Sequence, residues 1–348
     1  MTVHQVGARP VPAPPRPSAS RAATALLGLV AALAAAVALS LAVGANTLPP
    51  SAVWEALTGH GTTETDYIVL GLRVPRTVAA IVAGSALGVA GALIQAFTRN
   101  PLADPGILGV NAGAAFAVAM GVAFLGLRSS SAFVWLAFLG ALVVTVAVYL
   151  IGSSGRGPAD PIRLTLAGVA LGAVFSGITT GMTLSDPDAF DSMRSWNAGS
   201  VLGRGFDVIV PLVPFVIAGI LLAFVLTPGL NALALGDDVA RAQGANVAGI
   251  RIGVIVAVTL LAGTATALAG PISFVGLMVP HIVRWLFGPD QRVIVPLSAV
   301  LAPVLVLLSD VLGRVIIAPA EVPVGIVTAF VGAPVLIALA RRRKASTL

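Results

Sequence analysis

Cysteine is absent from the 348 residues, and lysine occurs once, as Lys344. The first absence excludes disulfides and thiolate ligands. The second excludes a phosphate-binding loop, whose lysine must follow glycine and precede serine or threonine, because Lys344 follows Arg343. Histidine is nearly missing as well. His4, His60 and His281 are scattered and form no HExxH pair, so no metal site is expected, and His281 alone reads as a structural residue. Charged residues make up only 10% of the chain, against about a quarter in an average soluble domain. No Ser/His/Asp set or carboxylate pair stands within the apolar runs, so no catalytic centre is expected.

What the chain has instead is apolar length. Hydrophobic residues reach 57%, arranged in runs that match the ~20 residues of a membrane-crossing helix. Candidate spans cover about 22–43, 68–96, 107–126, 131–151, 162–184, 208–227, 250–269, 274–287, 293–313 and 322–340. The expected fold is therefore an all-α polytopic membrane protein with about ten transmembrane helices. Residues 22–340 form the membrane domain, preceded by a Pro/Ser/Arg-rich tail over 1–21, read as disordered, and followed by a basic tail over 341–348. The run from Ala22 to Val43 is too long for a signal-peptide core and lacks a small-x-small cleavage site, so it reads as a retained first span.

The net charge of +6 belongs to topology rather than to nucleic-acid binding, because the arginines are dispersed over short loops and both tails. With the N-terminus inside, the cytoplasmic side collects Arg99, Arg156, Arg163, Arg241, Arg251, Arg284, Arg292 and both tails. The outside receives Arg73, Arg76, Arg128, Arg194, Arg204 and Arg314, fewer than half as many. Both termini are thus expected in the cytoplasm of a multi-pass protein of the plasma membrane. Ala83, Gly84, Ala86, Ala90 and Gly91 recur at one offset as Ala262, Gly263, Ala265, Ala269 and Gly270, which is compatible with an inverted repeat or with chance in an Ala/Gly-rich chain. Gly84 and Gly88 have the GxxxG spacing that lets helix backbones approach.

Three polar stretches interrupt the apolar runs. Leu72 to Gly113 starts with two arginines outside, crosses, and turns inside through Asn100, Pro101, Leu102, Ala103, Asp104 and Pro105. Leu235 to Arg251 lies in the inner loop at about 230–250. Asp237 and Asp238 suit a helix N-terminus there and Gly244 its end, predicting a helix of about two turns that must pack on something to persist. On pattern alone a solvated interhelical loop is the simpler reading. Gly270 to Arg292 carries a Gly-Pro break and a Pro-His pair. Asp310, near the outer end of a span, reads as a structural partner of Arg314 before it reads as a proton relay.

Together these segments resemble the FecCD family, the iron-siderophore, haem and vitamin B12 permeases of ATP-binding-cassette importers. The resemblance rests on RVPR (73–76), RNPLADPGILGVNAGA (99–114), GPISFVGLMVPHIVR (270–284), GPDQR (288–292) and APAEVPVGIVTAFVGAPVL (318–336). It implies a pathway enclosed by two permease subunits, as a homodimer or paralogous pair. It also implies two cytoplasmic ATPase subunits that hold the ATP and Mg, and an extracytoplasmic solute-binding protein. No cofactor is implied for the chain itself. Leu235, Gly236, Asp237, Asp238, Ala240, Arg241 and Gly244 fall in the family's ATPase-coupling loop, with Gln243 where leucine is usual. Arg73, Arg76 and Arg314 match arginines that receive acidic residues of the binding protein. Asn100 and Leu102 match the inner gate, and Ser153 and Ser154 fall in a second inner loop more loosely aligned to it. The resemblance implies transport of an iron-siderophore chelate, the commonest cargo of the family. Haem or cobalamin import is the alternative within it, and an ion-coupled secondary transporter the alternative outside it.

Overall fold

A computed structural model describes residues 19–44, 47–154 and 161–341. Most of both expected tails therefore lies outside the described residues. Among the described residues the chain is helical throughout, in the order α1 (Ala19–Ala42), α2 (Pro50–Leu57), α3 (Thr63–Asp66), α4 (Val74–Thr98), α5 (Val110–Leu125), α6 (Ser130–Ser153), α7 (Pro161–Ser185), α8 (Pro187–Asn197), α9 (Phe206–Leu233), α10 (Asp237–Ala242), α11 (Val247–Ala269), α12 (Val275–Phe287), α13 (Gln291–Ile316) and α14 (Val324–Arg341). A π-helical stretch, Tyr67–Arg73, joins α3 to α4 without a break, and a 3-10 turn, Pro105–Leu108, leads into α5. Every candidate span coincides with a helix. Seven are long and apolar enough to cross a membrane, and α5, α12 and α14 are shorter apolar helices.

The centre of the bundle is α4, packed on α13, α11, α12 and α9. Its sequence explains why. Ala79, Ala80, Ala83, Gly84, Ala86, Gly88, Ala90, Gly91 and Ala92 are all buried, so the helix presents little bulk and neighbouring backbones come close. A Cβ on Gly84 would lie 2.7 Å from Pro303 Cα, one on Gly88 2.5 Å from the Ser298 carbonyl oxygen, and one on Gly91 1.7 Å from the Gly276 carbonyl oxygen. The GxxxG spacing of Gly84 and Gly88 is thus a working contact with α13. α11, which carries the recurring Ala/Gly residues, packs against α4.

The second layer is α5, α6 and α7. Gly113 and Gly140 face each other across α5 and α6, where a Cβ on either would meet the other's carbonyl oxygen within 2.5 Å. In contrast, α1 and α7 are largely exposed, as helices facing lipid, a pathway or another subunit must be in an isolated chain. Between α11 and α12 the expected Gly-Pro break is present: Gly270 and Phe274 both have positive φ, +71° and +69°.

Helices α2, α3 and α8 lie outside the expected spans. α8 is amphipathic, burying Ala189, Met193 and Trp196 while Asp186 caps it by accepting from the Asp188 and Ala189 amides. α2 buries Val53 and Ala56 against Val69. The α9 helix also runs past the expected end of its span, through Pro228 to Leu233, and α11 begins at Val247. Arg251 accordingly belongs to the first turns of α11, within the expected span.

Candidate functional site

At one end of the bundle, α10 forms the short helix predicted from the aspartates and Gly244. Gly236, φ +111°, starts it, and Gly244, φ +81°, turns the chain away after it. The Gly244 amide donates to the Arg241 carbonyl at 2.9 Å and the Ala245 amide to the Ala240 carbonyl at 3.0 Å, closing the C-terminus. A helix of one and a half turns is unstable alone. It is held by Ala240, fully buried in a small cluster with Leu233 and Val247. Ala240 faces its own chain, whereas Leu235, Val239, Ala242 and Gln243 are exposed. The expectation that the aspartates cap the helix backbone is corrected: Asp238 pairs with Arg241 at 3.1 Å, and Asp237 pairs with two arginines from other helices.

One of those arginines, Arg99, connects α10 to the turn expected to gate the pathway, and the other, Arg251, connects it to α11. Asp237 Oδ1 accepts from Arg99 Nη2 at 2.6 Å, and Oδ2 accepts from Arg251 Nη2 at 2.6 Å. Arg99 ends α4 in the left-handed region, φ +50°. Asn100 follows, its side-chain oxygen accepting from the Leu102 amide at 2.9 Å, and Leu102 is 49% exposed. Asp104 closes the turn by accepting from the Gly106 amide at 2.8 Å. Desolvation of that carboxyl raises its pKa above the ordinary carboxylate value, and the Gly106 hydrogen bond offsets part of the rise. A cleft beside the turn is lined by Asn100, Leu102, Ile107, Ile162, Thr165 and Leu166. Ser153 and Ser154 are not among its lining residues. Their hydroxyls donate to the Leu150 and Ile151 carbonyls of their own helix, at 3.2 and 2.6 Å, so they terminate α6 and the structure does not bring them to the turn.

At the opposite end, Arg73, Arg76 and Arg314 converge, but inward. They are 6%, 8% and 2% exposed. Arg76 donates to Asp310 through Nε and Nη2 at 3.0 and 2.8 Å and to Glu321 through Nη1 at 2.7 Å. Arg314 pairs with the same Asp310 and donates to the Ser40 and Val43 carbonyls at 2.8 and 3.2 Å. Arg73 donates to the Leu41 and Ala42 carbonyls at 2.6 and 2.9 Å. Arg73 and Arg314 thus satisfy the carbonyls that α1 leaves unpaired at its C-terminus, where cations are also favoured by the helix dipole. The structural pairing of Asp310 with Arg314 is as expected. In this conformation all three guanidiniums are bound within the chain.

One polar group was missed in the sequence reading. Gln95, buried in α4, donates to the Leu277 carbonyl at 2.8 Å and accepts from Arg284 Nη1 at 2.8 Å, joining α4 to α12 just before the 99–104 turn. A glutamine inside an apolar span was the available signal.

Comparison with known proteins places this arrangement. Residues 32–342 match the FecCD transport family. The chain is 50% identical over 322 residues to the ferric enterobactin transport system permease protein FepD of Escherichia coli, covering 92% of this chain and 96% of that one. It is 41% identical over 317 residues to the probable siderophore transport system permease protein YfiZ of Bacillus subtilis, covering 91% and 95%. Among solved structures, a metal-chelate type ABC transporter in an inward-facing conformation superposes with a TM-score of 0.80 at 25% identity, covering 92% of this chain and 99% of that one. With its multi-pass helical bundle, the chain belongs to the FecCD transport family, whose members are membrane permease subunits and not enzymes in themselves.

Proposed function

We propose that the chain is the membrane-spanning subunit of an ATP-driven importer that carries a ferric siderophore across the bacterial plasma membrane. The observation that carries this reading is the 50% identity, over nearly the full length of both chains, to a permease named for ferric enterobactin. Two such subunits, identical or paralogous, enclose the pathway. Two ATPase subunits supply ATP and Mg from the cytoplasm, and a solute-binding protein delivers the chelate from outside. The end bearing α10 is then cytoplasmic, as are both termini. Val239 of α10, with Leu235 and Gln243 on either side of the helix, is offered to the ATPase, and Asn100 and Leu102 form the inner gate beside α7.

ATP binding draws the ATPases together, α10 moves with them, and the helix bundles rock so that the cavity changes its open side. Delivery at the outer face follows from exchange of partners. Of the carboxylates bound by the arginines there, Glu321 is the more accessible, its side chain 26% exposed against 2% for Asp310. An acidic residue of the binding protein docks by displacing Glu321 from Arg76. Asp310, the carboxylate an ion-coupled carrier would use, is bound between two arginines, which favours the ATP-driven reading.

Reconstitution in proteoliposomes with the ATPase and binding protein tests this. Uptake of a radiolabelled ferric siderophore should require ATP and both partners. Uptake by the chain alone on an ion gradient, or binding of only haem or cobalamin by the complex, would overturn it.

A further inference from the structure

The contacts of α10 divide into two kinds. Its apolar side packs on the ends of α9 and α11, through Ala240 against Leu233 and Val247. Its link to the end of α4 is polar: the Asp237 carboxylate, one oxygen on Arg99 and the other on Arg251, both at 2.6 Å. Arg99 is the residue immediately before Asn100. A displacement of α10 therefore has a route to the 99–104 turn one residue long. The end of α9 is anchored separately. Asn231 Nδ2 donates to Asp290 Oδ1 at 2.7 Å, and the Gln291 amide donates to Asn231 Oδ1 at 2.9 Å, pinning α9 to the turn between α12 and α13. α9 and α11 also pack on α4 itself, and among the described residues the ion pair is the side-chain contact that joins α10 to the first residue of the turn.

The exposure of the pair bears on what it does. The side chains of Arg99 and Asp237 are 41% and 25% exposed, and a pair so accessible to water adds about 1 kcal/mol or less to stability. A tie of this kind does little to hold the fold.

We propose that Asp237 is a positioning residue that ties α10 to the 99–104 turn, so that movement of α10 reaches Asn100 and Leu102 through Arg99. This rests on the reading above, in which α10 receives the ATPase and the turn is the gate. The Asp237 carboxylate has both oxygens bound within the chain. It converts one helix's displacement into the other's, while Arg251 keeps it aimed when Arg99 swings.

The test is coupling efficiency in the full reconstituted complex. Arg99→Gln should leave ATPase association and stimulated hydrolysis within about twofold of the native complex, while siderophore transported per ATP falls about two- to fivefold, the range set by an exposed ion pair. Arg99→Lys should recover most of the loss, because a cation is restored. Asp237→Asn should lower the same ratio, and the double variant Arg99→Gln/Asp237→Asn should do no worse than the poorer single, the signature of one shared interaction. A native ratio in Arg99→Gln would overturn the tie. So would a double variant whose loss is the product of the two singles, or a loss of transport fully matched by loss of ATPase association. Failure of the native chain to bind the ATPase would instead overturn the proposed function, and it is read before any variant is made.

Discussion

Asparagine at position 310 tests whether the outer arginine cluster is framework. The native carboxylate is 1% exposed and lies between two guanidiniums, accepting from Arg76 Nε and Nη2 at 3.0 and 2.8 Å and from Arg314 Nε at 3.0 Å. Asp310→Asn keeps the size and removes the charge. Two cations then face each other, and the new amide turns donors toward donors. At an effective dielectric of about 20, each opposite-charge contact near 4 Å amounts to about 4 kcal/mol before solvation is counted. Breaking a buried pair from one side destabilises by about 3 to 5 kcal/mol. Because this carboxylate serves two arginines, the upper end of that range applies. The assay is thermal unfolding of detergent-purified protein, followed by the fluorescence of its four tryptophans, with uptake measured in parallel. Melting should fall by several degrees and salt should not restore it, since a buried pair is poorly screened. A native melting temperature with lost uptake would refute the reasoning and return Asp310 to the role of an ion relay.

Four further outcomes are expected. Val239→Glu should leave the chain folded but weaken ATPase co-purification at least tenfold, whereas Ala240→Glu, which forces a carboxylate into a buried cluster, should lower thermal stability itself. Gly88→Ile pushes a side chain into the Ser298 carbonyl, 2.5 Å from its Cβ, and should cost about 1 to 3 kcal/mol by separating α4 from α13. Glu321→Gln releases Arg76 from its more accessible partner, and titration of the binding protein should show tighter docking at low salt; unchanged affinity would count against partner exchange. Asp104 has a raised pKa in the folded chain, so its neutral form is favoured there, and stability is lost as pH rises from the ordinary carboxylate pKa through the raised one. Asp104→Asn keeps the acceptor for Gly106 and should flatten that part of the melting-temperature profile.

The helices that were legible in advance were those whose signal is local. Twenty-odd apolar residues bounded by polar ones announce a span, and Asp237, Asp238 and Gly244 announce a short helix between two of them. α8 was legible too, through Ala189, Met193 and Trp196 at helical spacing behind the Asp186 cap, but its polar half reads as a loop when only long apolar runs are sought. The candidate site was legible by position rather than by direction. Arg73, Arg76 and Arg314 do gather at one end, and Asn100 and Leu102 do stand in an exposed turn. Whether each side chain faces a partner or its own chain depends on neighbours far away in sequence.

The sequence by itself determined the solvent this protein lives in, its helical spans, the polar interruptions between them and, through its motifs, its family. Only the tertiary structure decided that the arginines cap α1 and bind Asp310 and Glu321, that Ala240 points inward, and that Asp237 joins α10 to the ends of α4 and α11. The physical reason is one of range. Hydropathy and helix caps act within a few residues, whereas a buried guanidinium takes whatever carbonyl or carboxylate the packing brings to it. Arg314 and Ser40 are 274 residues apart along the chain and one hydrogen bond apart in the fold.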